Sequence, residues 1–365
     1  MELHFCLPTD AYFGRNCVKA QAAELKKLGG RALIVTGAHS AKACGALDDV
    51  TSALSANSQD FAVFNAIASN PTIDSVYAGA NAARESGADF VIGIGGGSPM
   101  DASKAIALLA ANDIPRSELF SGAYKKRLPL CCIPTTAGTG SEVTQYSVLT
   151  NDAAQSKTSM SSPLLFPDLA LLDGKYLEKL PGRTMINTVI DSLSHSVEGC
   201  LSVRSNALTR IIAAEAIGTI VPLFGSLRGW LDYESCEKLL YASMLGGMVI
   251  AQTGTTAVHS MGYSLTYFKH IDHGRANGLL LAAYLCVVAQ ERPDLVSLIL
   301  AAAKMSSIDD FRRALDDLLG EKELLTADEV EKFTDISAHS KNIANCAVRP
   351  TACEIAMIYK KSFGL

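Results

Sequence analysis

The chain reads as an α/β domain built on a parallel sheet, joined to a second domain made only of helices. Three observations carry that reading. Up to about residue 175, short apolar runs alternate with amphipathic stretches. After Pro181 only long helical patterns follow, and the change of rhythm falls at Leu180-Pro181-Gly182. The division is therefore drawn as residues 1–180 and 181–365, and a length of 365 residues suits two domains.

Taken in order, residues 31–37, 61–64, 89–94 and 128–133 are apolar runs of strand length and read as buried strands. Between them, 17–28, 73–86 and 101–111 carry the three-to-four-residue apolar spacing of amphipathic helices. Strand, helix, strand in that rhythm predicts parallel pairing through crossover helices. Beyond Pro181 the spacing predicts helices near 183–202, 206–224, 233–252, 275–290, 293–304, 308–319 and 326–338. Turns with Gly, Pro, Asp or Ser separate most of them, and no strand signal of comparable quality follows.

Composition narrows the function. Apolar residues at 48% and charged residues at 19% suit a globular protein with a large core. The net charge of -5 comes without a basic stripe, which argues against nucleic acid as a partner. No apolar run is read as a membrane span, and the start lacks the basic-then-apolar order of a signal peptide. Ten Cys without CxxC spacing are expected as free thiols in a reducing cytoplasm.

Two loops then stand out. Gly93-Ile-Gly95-Gly96-Gly97-Ser98-Pro99-Met-Asp101 runs from a strand through a turn into a helix. Consecutive glycines let the backbone approach a ligand, and Ser98 is expected as N-cap with Pro99 opening the helix. Unpaired N–H groups at such a helix start would suit a pyrophosphate. The spacing is not the G-x-G-x-x-G fingerprint. After the next strand comes Thr135-Thr136-Ala-Gly138-Thr139-Gly140-Ser141-Glu142, whose hydroxyls could donate to ribose or phosphate oxygens at the carboxyl edge of the sheet.

In the helical half, Asp191 and His195 lie four residues apart and so share one helix face. His259 and His273 follow far downstream. One carboxylate and three imidazoles would suit a divalent transition metal with room for an exogenous oxygen ligand.

Together these segments resemble the iron-containing (group III) alcohol dehydrogenase family. The matching pieces are residues 95–104, 134–144, Asp191 to Glu198, and His259 with His273-Gly-x-Ala-Asn277; Asn70-Pro71-Thr72 also looks familial. The resemblance runs from about residue 5 to 290, with the helical tail matching only in character. It implies the dehydroquinate synthase-like fold, with a dinucleotide-binding first domain carrying Gly95, Gly96, Gly97, Ser98, Asp101, Thr135, Thr136, Thr139 and Ser141. It also implies Fe2+, with Zn2+ as competitor, held by Asp191, His195, His259 and His273. The implied reaction is hydride transfer between a nicotinamide and a small alcohol or aldehyde, in a cytoplasmic homodimer.

The family's usual NAD-selecting Asp falls at Gly37, while Ser40 and Lys42 offer a hydrogen bond and a charge to a 2′-phosphate. NADP(H) is therefore expected over NAD(H). Many members carry another His where this chain has Tyr263, so Tyr263 and His270 are the candidates for proton relay. Val189, Gly174 and Ala282-Ala283 also depart from the common pattern and leave the substrate unread. Two alternatives compete: another metal enzyme of the superfold (a dehydroquinate-synthase-like lyase or glycerol-phosphate dehydrogenase), or a catalytically idle dinucleotide-binding paralogue. The first needs a basic cluster, for which Arg275 is the nearby candidate.

Overall fold

The computed structural model describes residues 3–122 and 124–365. It resolves into two compact units. One comprises Cys6–Leu180 with Asp232–Leu240; the other comprises Pro181–Leu231 and Tyr241–Leu365.

The first unit is a six-stranded, wholly parallel sheet. Its strands and helices alternate as β1 (Asp10–Phe13), α1 (Cys17–Ala20), α2 (Ala22–Lys26), β2 (Arg31–Thr36), α3 (Ser40–Ala43), α4 (Ala46–Ala56), β3 (Asp60–Phe64), α5 (Ile73–Ser86), β4 (Phe90–Gly95), α6 (Gly97–Ala111) and β5 (Leu130–Pro134). A two-stranded antiparallel hairpin follows, β6 (Tyr146–Asn151) with β7 (Ser156–Ser161), and then β8 (Leu169–Leu172). The sheet order is β1-β8-β5-β4-β2-β3. β2 lies between β3 and β4, so the strand order reverses there. The loops after β2, β4 and β5 leave neighbouring strands at one carboxyl edge, where such sheets bind ligands. β4 and β5 are buried along their whole length, as a sheet covered on both faces requires.

The four expected strands and the helices at 73–86 and 101–111 are present. Three features differ. The stretch 17–28 is two short helices broken at Gln21, whose backbone leaves helical geometry. α6 begins at Gly97 with Gly96 as N-cap, so Ser98 is not the cap; its Oγ accepts instead from Asn70 N at 3.0 Å. β1, β8 and the hairpin were not anticipated. The first two are four residues long, and β7 is Ser-Lys-Thr-Ser-Met-Ser, which has no apolar alternation to read.

The second unit is helical: α7 (Gly182–Cys200), α8 (Ala207–Ile220), the later part of α9 (Tyr233–Thr253), α10 (Ala257–Lys269), α11 (His273–Glu291), α12 (Pro293–Ala302), α13 (Ile308–Leu319), α14 (Ala327–Ala338) and α15 (Ala352–Phe363). α10 and α15 are additions to the expected set. α10 carries Gly, Ser and Thr through its middle, whereas α15 announces itself by a Thr351–Glu354 capping box. The stretch Ala207–Ser226 is long and apolar enough by composition to cross a membrane, contrary to the expectation that none would be. In the fold α8 packs against α7 and α12, and Pro222 turns the end of the stretch into 3-10 helix.

Candidate active site

α7 is the spine of the helical unit's site. Asn187, Asp191, His195 and Glu198 recur at spacings of four, four and three, so they form one stripe on that helix. From Met185 onward nearly every residue of α7 is buried, which commits the polar stripe to partners inside the protein.

Those partners come from α10 and α11. The Nε2 atoms of His195, His259 and His273 each stand 3.8 Å from Asp191 Oδ1. The His195 and His259 rings stack with centroids 4.9 Å apart, and His273 meets His259 edge-on at 5.0 Å. Donors sharing a tetrahedral metal at about 2.1 Å stand ~3.4 Å apart. Asp191 Oδ1 is thus within a few tenths of an ångström of that spacing from each imidazole. The ligand atoms of Asp191, His195 and His259 all lie within 4.8 Å of one another, and one carboxylate with three imidazoles is a transition-metal donor set. Asp191, His195 and His259 are buried; His273 keeps 21% of its side chain accessible, which leaves a way in for a ligand.

Close helix packing makes this possible. At Gly274 a Cβ would lie 1.8 Å from the backbone oxygen of Asn187 and 2.9 Å from the Asp191 Cβ, so only glycine lets α11 press its first turn onto α7. Asn187 Nδ2 donates to Asp272 Oδ2 at 2.6 Å, tying the residue before His273 to the same stripe. Asn277, fully buried on α11, donates its amide to Asp191 Oδ1 at 3.0 Å, with the same nitrogen 3.3 Å from His259 Nε2.

Glu198 is the group that reading the sequence missed as a site residue, although its spacing after His195 was there to see. It is fully buried and meets His259 Nδ1 through Oε2. Its Oε1 accepts from Thr256 N, Thr256 Oγ1, Val258 N and His259 N at 2.9, 2.6, 3.0 and 3.3 Å. Burial alone would raise its pKa; His259 and the Thr256 hydrogen bonds outweigh that and hold the carboxyl below its usual range.

Of the two relay candidates, Tyr263 stacks on His273 with centroids 5.3 Å apart and meets His259 edge-on at 6.2 Å. His270 is exposed, in left-handed backbone at the C-terminal end of α10, and makes no ring contact with that group among the described residues. Arg275 is buried and spent on Glu323 and on the Leu319 and Glu321 carbonyls, so it offers no free charge to a substrate.

In the sheet unit the two loops meet at the carboxyl edge. A Cβ at Gly97 would lie 2.5 Å from Thr139 Cγ2, and one at Gly96 would lie 3.1 Å from Thr136 Oγ1, so the glycines are what let the hydroxyl loop close over the start of α6. Thr135 N donates to Gly95 O at 2.9 Å at the base of the contact. Asp101 accepts from Ser141 Oγ at 2.6 Å and Val148 N at 3.0 Å, which makes it a clamp between α6, the loop and the hairpin. Loss of solvent raises its pKa despite the Lys104 charge and those hydrogen bonds. Lys104 is fully buried, donating to the Thr144 and Tyr146 carbonyls at 2.8 Å, and burial lowers its pKa. Glu142 is buried with neither carboxyl oxygen reaching a hydrogen-bond partner elsewhere in the described residues; burial pushes its pKa up to about 7. After β2, a Cβ at Gly37 would lie in ordinary contact with the Ile67 carbonyl at 3.4 Å and Ser40 Oγ at 3.7 Å, and Ser40 and Lys42 are exposed.

Comparison with known proteins matches this arrangement across both units. The family model for iron-containing alcohol dehydrogenase covers residues 8–174, and that for the Fe-containing alcohol dehydrogenase family, C-terminal, covers 185–362. Lactaldehyde reductase of Escherichia coli is 35% identical over 278 residues, 74% of this chain and 72% of that protein. The NADPH-dependent butanol dehydrogenase of Clostridium saccharobutylicum is 30% identical over 286 residues, 76% and 72% of the two. The crystal structure of an iron-containing alcohol dehydrogenase from Thermotoga maritima superposes with a TM-score of 0.93 at 37% identity, covering 99% of each chain. The chain belongs to the iron-containing alcohol dehydrogenase family, oxidoreductases acting on CH–OH groups.

Proposed function

We propose that this protein is an alcohol dehydrogenase working mainly as an aldehyde reductase, moving hydride between NADP(H) and a small alcohol or aldehyde. The observation that carries the reading is the convergence of three imidazole Nε2 atoms on Asp191 Oδ1, each at 3.8 Å. Asp191, His195, His259 and His273 would hold Fe2+, with Zn2+ the competing occupant wherever it is available. When bound, the metal supplies Lewis acidity toward a substrate oxygen, and the nicotinamide supplies the hydride.

The chain's own residues do the rest. Asp191 brings one negative charge, so with three neutral imidazoles the donor set would leave a bound divalent ion only partly neutralised and able to supply its Lewis acidity. Tyr263, stacked on His273, is the better candidate for the proton relay, and the exposed position of His270 argues against it. With Arg275 already paired, the site lacks the basic cluster that a lyase or glycerol-phosphate reading needs. In the division proposed, residues 1–180 bind the dinucleotide through the backbone of Gly95, Gly96 and Gly97 and the hydroxyls of Ser98, Thr135, Thr136 and Thr139, whereas the Ser141 hydroxyl is already donated to Asp101 and shapes the loop. Asp101 contributes by clamping Ser141. Residues 181–365 hold metal and substrate.

The coenzyme choice rests on Gly37, where no carboxylate repels a 2′-phosphate, and on the exposed Ser40 and Lys42. A homodimer in the cytoplasm is the proposed setting, in keeping with ten free cysteines. The test is oxidation of NADPH, beside NADH at equal concentration, by anaerobically prepared, Fe2+-loaded protein with short aldehydes and ketones. Metal-dependent turnover favouring NADPH is expected. Preference for NADH would overturn the coenzyme reading; metal and NADPH bound without turnover on any carbonyl would favour the idle paralogue.

A further inference from the structure

Glu198 has two oxygens doing two different jobs. Oε1 gathers donors from the first turn of α10: two backbone N–H groups besides that of His259, and the Thr256 hydroxyl. Oε2 faces the imidazole Nδ1 of His259 on that same turn. Each contact needs an acceptor on the Glu198 side, so the proton between Glu198 and His259 resides on Nδ1. The far end of the ring agrees: His259 Nε2 faces the Asn277 amide nitrogen at 3.3 Å, and Asn277 already donates to Asp191 Oδ1. A hydrogen on Nε2 would set donor against donor.

We propose that Glu198 is a positioning residue that fixes His259 as the Nδ1–H tautomer and so aims the Nε2 lone pair at Asp191, His195 and His273. The inference rests on the metal reading above. Glu198 also ties two donor-bearing helices together, since it stands on α7 one turn from His195 and anchors the α10 backbone at His259. A carboxylate behind a metal-bound histidine sets ring orientation and basicity, and its loss costs about 10–100-fold in metal affinity.

Glu198→Gln upsets one of the two jobs, because an amide has one acceptor oxygen where the carboxylate has two; the His259 tautomer, which helix capping alone would not set, separates positioning from capping. Either its NH2 faces Nδ1 and drives the hydrogen onto Nε2, or its oxygen stays there and the α10 N–H groups lose their acceptor. The experiment pairs two measurements. Zn2+ affinity is read by competition with a chromogenic chelator in wild type, Glu198→Gln and Asp191→Ala. Ring 15N shifts of His259 are read by NMR in the metal-free wild type, with a His259→Gln variant for assignment. The expected result is a 10–100-fold weaker Zn2+ affinity in Glu198→Gln, together with an Nδ1–H tautomer in the wild type. Wild-type affinity in Glu198→Gln, or an Nε2–H tautomer in the wild type, overturns the proposal while leaving the metal reading intact. Should Glu198→Gln not fold, the wild-type tautomer decides alone. Wild type that binds neither Zn2+ nor Fe2+ overturns the metal reading, and the proposal with it.

Discussion

The glycine and hydroxyl loops of the sheet unit and the donor cluster of the helical unit both gather polar atoms in one place, but by different means. The loops leave β4 and β5, which are hydrogen-bonded neighbours, so two segments about 40 residues apart in the chain arrive side by side through backbone pairing. Their close contacts are glycine against threonine at the tip of α6. The donor cluster draws instead on side chains from α7, α10 and α11, and its spacing depends on how closely those helices pack. A loop held by strand pairing can adjust locally. A cluster held by helix packing has no slack, because one added methyl at residue 274 would meet the backbone of α7.

The comparison is most directly broken at the cluster. Replacing Asp191 with Ala removes the atom on which three imidazoles converge, and the expected loss in kcat is on the order of a thousandfold, since a Lewis acid contributes several kcal/mol to the transition state. Metal content by atomic spectroscopy should fall in parallel; retained stoichiometric metal would mean that the three histidines suffice. Gly274→Ala tests packing rather than chemistry. Overfilling a close helix contact is expected to cost about 3 kcal/mol by denaturant unfolding and to lower metal occupancy as α11 is displaced. Unchanged stability would show that the helices can yield after all.

In the sheet unit, Glu142 gives a stability test with a defined sign. Its native pKa of about 7 exceeds the reference 4.5, so the native state holds a proton that the unfolded chain has released. Stability from this group is full below the lower value, declines as pH rises, and is lost above about 7, a change of up to about 3 kcal/mol. Glu142→Gln should flatten that slope and be the more stable protein at about pH 8, with little difference at about pH 4; parallel curves for the two proteins would refute it. Gly97→Ala is expected to give the smallest effect. A methyl pressed on Thr139 should raise the KM for the dinucleotide roughly tenfold, about 1.4 kcal/mol, and leave metal content untouched. Loss of metal in Gly97→Ala would contradict the separation of the two regions.

Much of this was legible before folding was considered. The buried strands β2, β4 and β5 are apolar runs bounded by turn residues, and the apolar spacing places α5 to the residue, where the structure shows Thr72 as its N-cap. The i, i+4 pair of Asp191 and His195 reads directly as one face of a helix. The assignment of Ser98 as N-cap failed because Gly96 already turns the chain into the helix, and Ser98 is taken by Asn70 across the loop. α10, which carries both His259 and Tyr263, was missed because its apolar pattern is interrupted by the small polar residues that close packing requires.

The local chemistry of this chain was written in its sequence: a glycine turn entering a helix, a hydroxyl-rich loop after a strand, and a carboxylate one turn ahead of an imidazole. Those features depend on neighbours a few residues away, and short-range geometry fixes them. Tertiary structure alone decided that Glu198 would hold His259 and that Gly274 would let His273 reach Asp191. It also spent Arg275 on the Leu319 and Glu321 carbonyls at and beyond the end of α13 and left His270 at the surface. Each of those outcomes depends on which helices pack together and at what separation, and no periodicity within a single segment encodes that distance.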